Sequence, residues 1–206
     1  MSLWGDAHAA STNKPKFLPQ DENSDYNRAD CYATQAGWVM QAGHPSSGNS
    51  NTSATPEVLV ASGGLAGKDA SSGLRTPTVT AMRFVKGTTA TTDMTAADST
   101  ARIRVEVTWD EEVTVAGTPQ LVVVNGNQSS GGLGNYTLSY ISAGSTANRK
   151  LFEATSQSLG NTDVLTVGAA DIALNSGTLS DTVVGGTTLA ASRVVSGVTQ
   201  VITILS

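Results

Sequence analysis

The stretch that most limits what this chain can fold into is residues 101–125, ARIRVEVTWDEEVTVAGTPQLVVVN. In it Ile103, Val105, Val107 and Trp109 alternate with Arg102, Arg104, Glu106 and Thr108. A period of two puts the two sets on opposite faces of a strand, one apolar and one wet, with Trp109 in the core near the strand end. Asp110-Glu111-Glu112 then marks a corner, residues 113–115 a short strand, Ala116-Gly117-Thr118-Pro119 a turn, and residues 121–124 a third strand. Strand, corner, strand, turn and strand at this spacing is the pattern of an antiparallel β-sandwich.

Composition agrees with that reading. Charged residues make up 14% of the 206 and aromatics 5%, so a core has to be built from Val, Leu, Ile and Ala in thin layers joined by many turns. From residue 76 onward, further strands are expected at 78–85, 135–142, 149–155, 162–167, 172–174 and 198–205. In the first of these Val79, Ala81 and Arg83 fall on one side, and Thr80, Met82 and Phe84 on the other. Asn125-Gly126-Asn127, Ala143-Gly144-Ser145 and Asn175-Ser176-Gly177 lie between strands as turn formers. No helical stripe interrupts them, which disfavours parallel βαβ units. The fold class expected is all-β: a single antiparallel β-sandwich over 76–206, preceded over 1–75 by an extended, irregular N-terminal arm and linker.

The arm shows no sustained periodicity, and it contains Ser46-Ser47-Gly48-Asn49-Ser50-Asn51-Thr52-Ser53, too polar to offset its own ordering entropy. Yet it carries apolar anchors: Trp4, Phe17, Leu18, Trp38 and Met40, with Val58, Leu59 and Val60 further on. Flexible linkers are poor in such residues, so the arm is expected to bury Trp4, Phe17, Leu18, Trp38 and Met40 against another surface, its own sandwich or a neighbouring subunit. The competing expectation is that 38–40 and 58–60 form a small local hairpin.

Signs of chemistry are few. His8 and His44 are the two imidazoles, and with Cys31 they do not make the ligand set of a zinc site. Cys31 is expected to be a small packed residue rather than a nucleophile, because nothing in the arm would hold a base beside it. Asp110, Glu111 and Glu112, with Asp163, Asp171 and Asp181, raise the question of calcium, but without a D-x-D-x-D loop they read better as charges that keep strand edges solvated. Paired carboxylates for glycoside hydrolysis would need an aromatic-lined cleft, and the glycine pairs lack a phosphate-loop context. The expectation is no enzyme and no cofactor. A net charge of −5 without a basic patch argues against nucleic acid. No run of ~18 apolar residues suggests a membrane span, and no signal-peptide pattern opens the chain, so a soluble protein made in a cytoplasm is expected.

Two resemblances sharpen these expectations. VEVTWDEEVTVAGTPQLVVV, NYTLSYISAG, KLFEATSQSLGNTDVLTV and DIALNSGTLSDT, in that order, resemble the bacterial-type immunoglobulin-like module repeated in large adhesins. The opening MSLWGDAHAASTNKPKFLP, with GWVMQAG and EVLVASGGL, is similar to small virion structural proteins of tailed phages, particularly T4-like phages of marine cyanobacteria. Together they imply an immunoglobulin-like domain in a virion structural protein assembled in the host cytoplasm. The role expected is a capsid decoration or cement subunit whose arm contacts the major capsid protein, other virion proteins or further copies of itself. The alternative is an adhesin-like tail or fibre accessory domain that binds host-surface glycans through loops 86–99 and 128–134.

Overall fold

The computed structural model describes residues 14–15, 17–18, 28–44, 47, 49–66, 74, 76–86, 89–91, 94–95, 102–126, 134–154, 159–181 and 188–205. Half of the structure is strand and 4% is helix, so the chain is all-β. Trp4, most of loop 86–99 and residues 128–133 lie outside the described residues.

The strands expected from residue 76 onward form β4 (Val79–Lys86), β7 (Arg104–Trp109), β8 (Thr114–Ala116), β9 (Gln120–Asn125), β10 (Tyr136–Ile141), β11 (Arg149–Ala154), β12 (Val164–Val167) and β15 (Gln200–Leu205). Two short strands fall inside the Thr-rich loop, β5 (Thr89–Ala90) and β6 (Met94–Thr95), and two late in the chain, β13 (Thr178–Asp181) and β14 (Leu189–Ala190). Residues 172–174, expected as a strand, supply only a single bridge, Gln120 to Ala173.

Nine strands join in the order β5-β4-β7-β11-β10-β9-β12-β15-β6, and β14-β13-β8 form a smaller sheet. The first and last strands of the large sheet, β5 and β6, are close neighbours in sequence, so the sheet curls back towards a barrel. Val105, Val107 and Trp109 of β7, Leu121 and Val123 of β9, Leu138 and Phe152 share one core with Val113, just before β8, and Leu179 of the smaller sheet. Trp109 is fully buried and its indole Nε1–H donates to the Ser192 carbonyl at 2.9 Å. A buried indole needs such a partner.

On β4 the strict alternation fails. Val79 pairs with Trp109 and Ala81 with Thr108, so Thr80 is an extra residue and the strand carries a bulge. Val79 therefore shares the core with Met82 and Phe84, where a regular strand would put it on the opposite face.

The larger departure is N-terminal. Where the sequence suggests an irregular arm, β1 (Cys31–Thr34), β2 (Gly37–Met40) and β3 (Glu57–Ala61) form an antiparallel sheet in the order β1-β2-β3. Its own core contains Leu18, Cys31, Ala33, Trp38, Met40, Leu65 and Leu74. The hairpin expected as the alternative is thus present as β2 and β3, with β1 added through the Gln35-Ala36 turn. Within the polar tract, side chains bond nearby backbone. The Asn49 N–H donates to Ser47 Oγ (3.1 Å), Asn51 N–H to Asn49 Oδ1 (2.9 Å) and Ser53 N–H to Asn51 Oδ1 (3.1 Å). These local turns satisfy backbone groups without any periodic pattern in the sequence.

Candidate binding site between the small sheet and the main body

The outward face of β7 reads as wet in sequence, but the structure covers it. Glu106 and Thr108 are 6% and 3% exposed. Opposite Glu106 on β4 sits Arg83, whose Nε donates to Glu106 Oε1 at 2.8 Å. Arg149, the first residue of β11, places Nη2 on Glu106 at 2.8 Å and Nη1 on Asp30 Oδ1 at 2.7 Å. Asp30 closes a short 3-10 turn, Arg28–Asp30, leading into β1, and its other oxygen accepts from His44 Nε2 at 2.8 Å. The result is one chain of bonded polar side chains, Arg83–Glu106–Arg149–Asp30–His44, running from the large sheet into the small one. Further along the same face Arg102 and Arg104 both hold Glu153, at 2.7 and 2.6 Å.

Burial by itself would push the Asp30 carboxyl up. The His44 hydrogen bond and the Arg149 guanidinium outweigh it and hold the group below the ordinary carboxylate value. Burial likewise works against the Arg149 charge, and Glu106 and Asp30 together reverse it. Each member is buried only because its neighbours are.

The acidic corner is the second part of the junction. Rather than solvating an edge, Asp110 and Glu111 are 0% and 1% exposed, because β1 lies against them. The Ala33 N–H donates to the Asp110 carbonyl at 2.7 Å, and Ala33 pairs with Glu111 in a parallel bridge. Burial pushes the Glu111 carboxyl up to about 8, with Asp110 and Asp181 adding to the rise. It pushes Asp110 up to about 6, opposed by the Thr78 N–H on Oδ1 (2.6 Å) and by Lys14. Lys14, 3% exposed, is pulled down to about 8 by the same burial, and the Cys31 thiol is pushed up to about 12. That thiol is a packed side chain. Perturbed carboxyls often mark functional sites, but Asp110 and Glu111 do not line the cavity described next. It is their backbones that join β1 to the main body.

Beside Asp30 a cavity of about 350 Å³ separates the small sheet from the main body, lined by Asp30, Gln41, Ala42, Gly43, His44, Thr52, Thr146, Asn148 and Arg149. Three polar atoms on its lining residues have no protein partner: Thr146 Oγ1, Asn148 Oδ1 and Arg149 Nε. The Asn148 amide is oriented by its own Nδ2, which donates to the Trp109 carbonyl at 3.1 Å. Among the described residues no group of three or more His, Cys, Asp or Glu side chains is placed to hold a metal ion.

Of the anchors singled out in sequence, Leu18, Trp38 and Met40 lie together in the small sheet's own core, while Phe17 is 68% exposed. Trp4 lies outside the described residues. Sequence reasoning did not find Asp30, Thr146, Asn148 or Arg149 as site residues. The one available signal was charge alternation on the polar faces of β4, β7 and β11, where Arg83, Glu106 and Arg149 could be matched; nothing local pointed to Asp30. No protein-family model, no curated protein and no solved structure matches the chain.

Proposed function

We propose that this chain is a non-enzymatic virion structural protein, an immunoglobulin-like β-sandwich that decorates or cements a phage capsid through its N-terminal part. The sequence resemblance is the origin of the reading, and the all-β core accords with it. The observation that carries it is Phe17. It stands 68% exposed beside buried Leu18, on a segment tied to the turn before β1: Arg28, in the turn that ends at Asp30, donates to the Pro15 and Leu18 carbonyls at 3.2 and 3.0 Å. A large aromatic held outward on a fixed support is the kind of anchor that a protein partner buries, and many symmetry-related copies multiply a modest contact into high occupancy.

This changes how the arm works. Leu18, Trp38 and Met40 shape and stiffen the small sheet, and contact with the major capsid protein falls to Phe17 and the residues before it. The test is antibody labelling, or density assignment, on virions of the phage whose genome encodes the chain, with wild-type protein and Phe17→Ser. The wild type should occupy a regular set of sites and Phe17→Ser should lose most of that occupancy. Virions devoid of the chain would defeat the reading.

The second reading is host-glycan binding as an adhesin-like or fibre accessory module. The cavity of about 350 Å³ beside Asp30 is the observation that favours it.

A further inference from the structure

We propose that the outer face of strands β10, β9, β12 and β15 is the contact through which two copies of this chain associate, sheet against sheet across a twofold axis. These four strands are consecutive in the large sheet, and their sequences, YTLSYI, QLVVVN, VLTV and QVITIL, contain no charged residue. On the other half of the sheet β4, β7 and β11 carry Arg83, Glu106, Arg149 and Glu153, and Arg149 there is paired with Asp30 of the N-terminal part. An antiparallel sheet that keeps one face in water normally carries polar residues on it. Here Val122, Val124 and Val164 face outward and partly exposed, Val201 is 61% exposed and Leu205 49%. The strand register sets Val124, Thr166 and Val201 side by side in one row and Val164 beside Thr203 in the next, so the apolar positions are contiguous rather than scattered.

Charge, chemistry and size single out a second copy as what covers this face. The chain carries a net charge of −5, so two copies approach most easily through a surface free of charge, and this face is one. Its polar groups are the hydroxyls of Thr137, Ser139, Thr166 and Thr203 and the amide of Gln120, each both donor and acceptor. Across a twofold axis the same patch meets itself, so such a group can bond its own kind where a Lys or Glu could not. Four strands of about five residues present a flat area of roughly 300 Å², and side-chain relief about doubles the accessible surface. The pair would therefore bury ~1,200 Å², above the ~1,000 Å² expected of a specific interface. Two twisted sheets of this kind pack face to face in the same way as the layers of a sandwich. Phe17 takes no part in this contact, so the two readings can fail independently.

The experiment is sedimentation equilibrium on the full chain from micromolar to millimolar concentration, for wild type, Val201→Lys, Leu205→Lys and Phe17→Ser. Wild type should pass from one chain mass to twice that mass as concentration rises, and dilution should shift the NMR amide signals of β12 and β15 while leaving those of β7 in place. Val201 and Leu205 are exposed enough to accept a lysine without unfolding the sheet. Either lysine should weaken association at least ~tenfold with the monomer's Tm unchanged, because both copies would carry a charge into the contact. Phe17→Ser should associate as wild type does. A wild type that stays monomeric throughout, association undiminished in both lysine variants, or loss of association in Phe17→Ser alone would each overturn the proposal.

Discussion

Arg149 of β11 and Asp30, the residue before β1, meet at 2.7 Å across the boundary between the large sheet and the small N-terminal one. They are far apart in sequence, and each is buried by the element that carries the other. The contact therefore works as a clamp, and its energetics differ from those of a surface ion pair. Exposed pairs contribute ~0–1 kcal/mol, whereas removing one partner of a buried pair leaves an uncompensated charge.

Replacing Arg149 by Met leaves Asp30 with His44 and Glu106 with Arg83, and should lower unfolding free energy by about 3 kcal/mol in urea titrations. Asp30→Asn keeps Arg149 paired with Glu106 and should cost less, about 1–2 kcal/mol. In the double variant the losses should fall short of their sum, since the two side chains share one interaction. Strict additivity would show that the clamp is not a unit.

Stability should fall as pH rises from about 5 to 8. Glu111 has its carboxyl pushed up to about 8 from an ordinary 4.5, and Asp110 to about 6 from 3.8. A raised carboxyl contributes stability that is complete below the unfolded value and lost as pH climbs through the folded one. Asp30 has the opposite sign: held below 3.8, it contributes stability above that value and loses it on acidification. Lys14, pulled down to about 8, regains stability only above that pH. Glu111→Gln, neutral throughout, should flatten the decline and leave the variant about 2 kcal/mol more stable than wild type at pH 8, or ~4–8 °C in Tm. An unchanged pH profile in Glu111→Gln would show that Glu111 is not the group responsible.

Gly37→Ala should detach the small sheet while sparing the main body. Gly37 opens β2 with φ +132°, and a Cβ there would lie 2.1 Å from the Val60 carbonyl oxygen. Both the left-handed backbone and the close approach of β3 exclude a side chain, so a loss of about 2–4 kcal/mol, localised to the small sheet, is expected. Hydrogen exchange should show lost protection at Trp38–Met40 and Val58–Val60, with β7 and β11 retaining theirs. Uniform loss across both would mean that the two parts unfold as one.

How far the fold was legible in the sequence follows from what each residue's role depends on. The alternation from Ile103 to Trp109 determined a strand, its apolar face and the burial of Trp109, because period and polarity are local properties. The run from Leu121 to Val124 and the turn formers between strands did the same for the rest of the large sheet. The small sheet was legible only as an alternative. Its turn, Thr34-Gln35-Ala36-Gly37, lacks a strong hairpin signal, and its ordering bonds among Ser47, Asn49 and Asn51 look in sequence like any polar tract. The tertiary structure alone decided which polar residues are buried. Glu106, Asp110, Glu111 and Arg149 carry every sequence mark of solvated groups; Asp110 and Glu111 leave water where Ala33 of β1 meets them, and Glu106 and Arg149 where Arg83 and Asp30 pair with them. It also decided where the site lies, since the cavity beside Asp30 takes its walls from Asp30, residues 41–44, Thr52, Thr146, Asn148 and Arg149, which no spacing rule connects. Local pattern is written in the chain; desolvation and convergence arise from which surfaces meet.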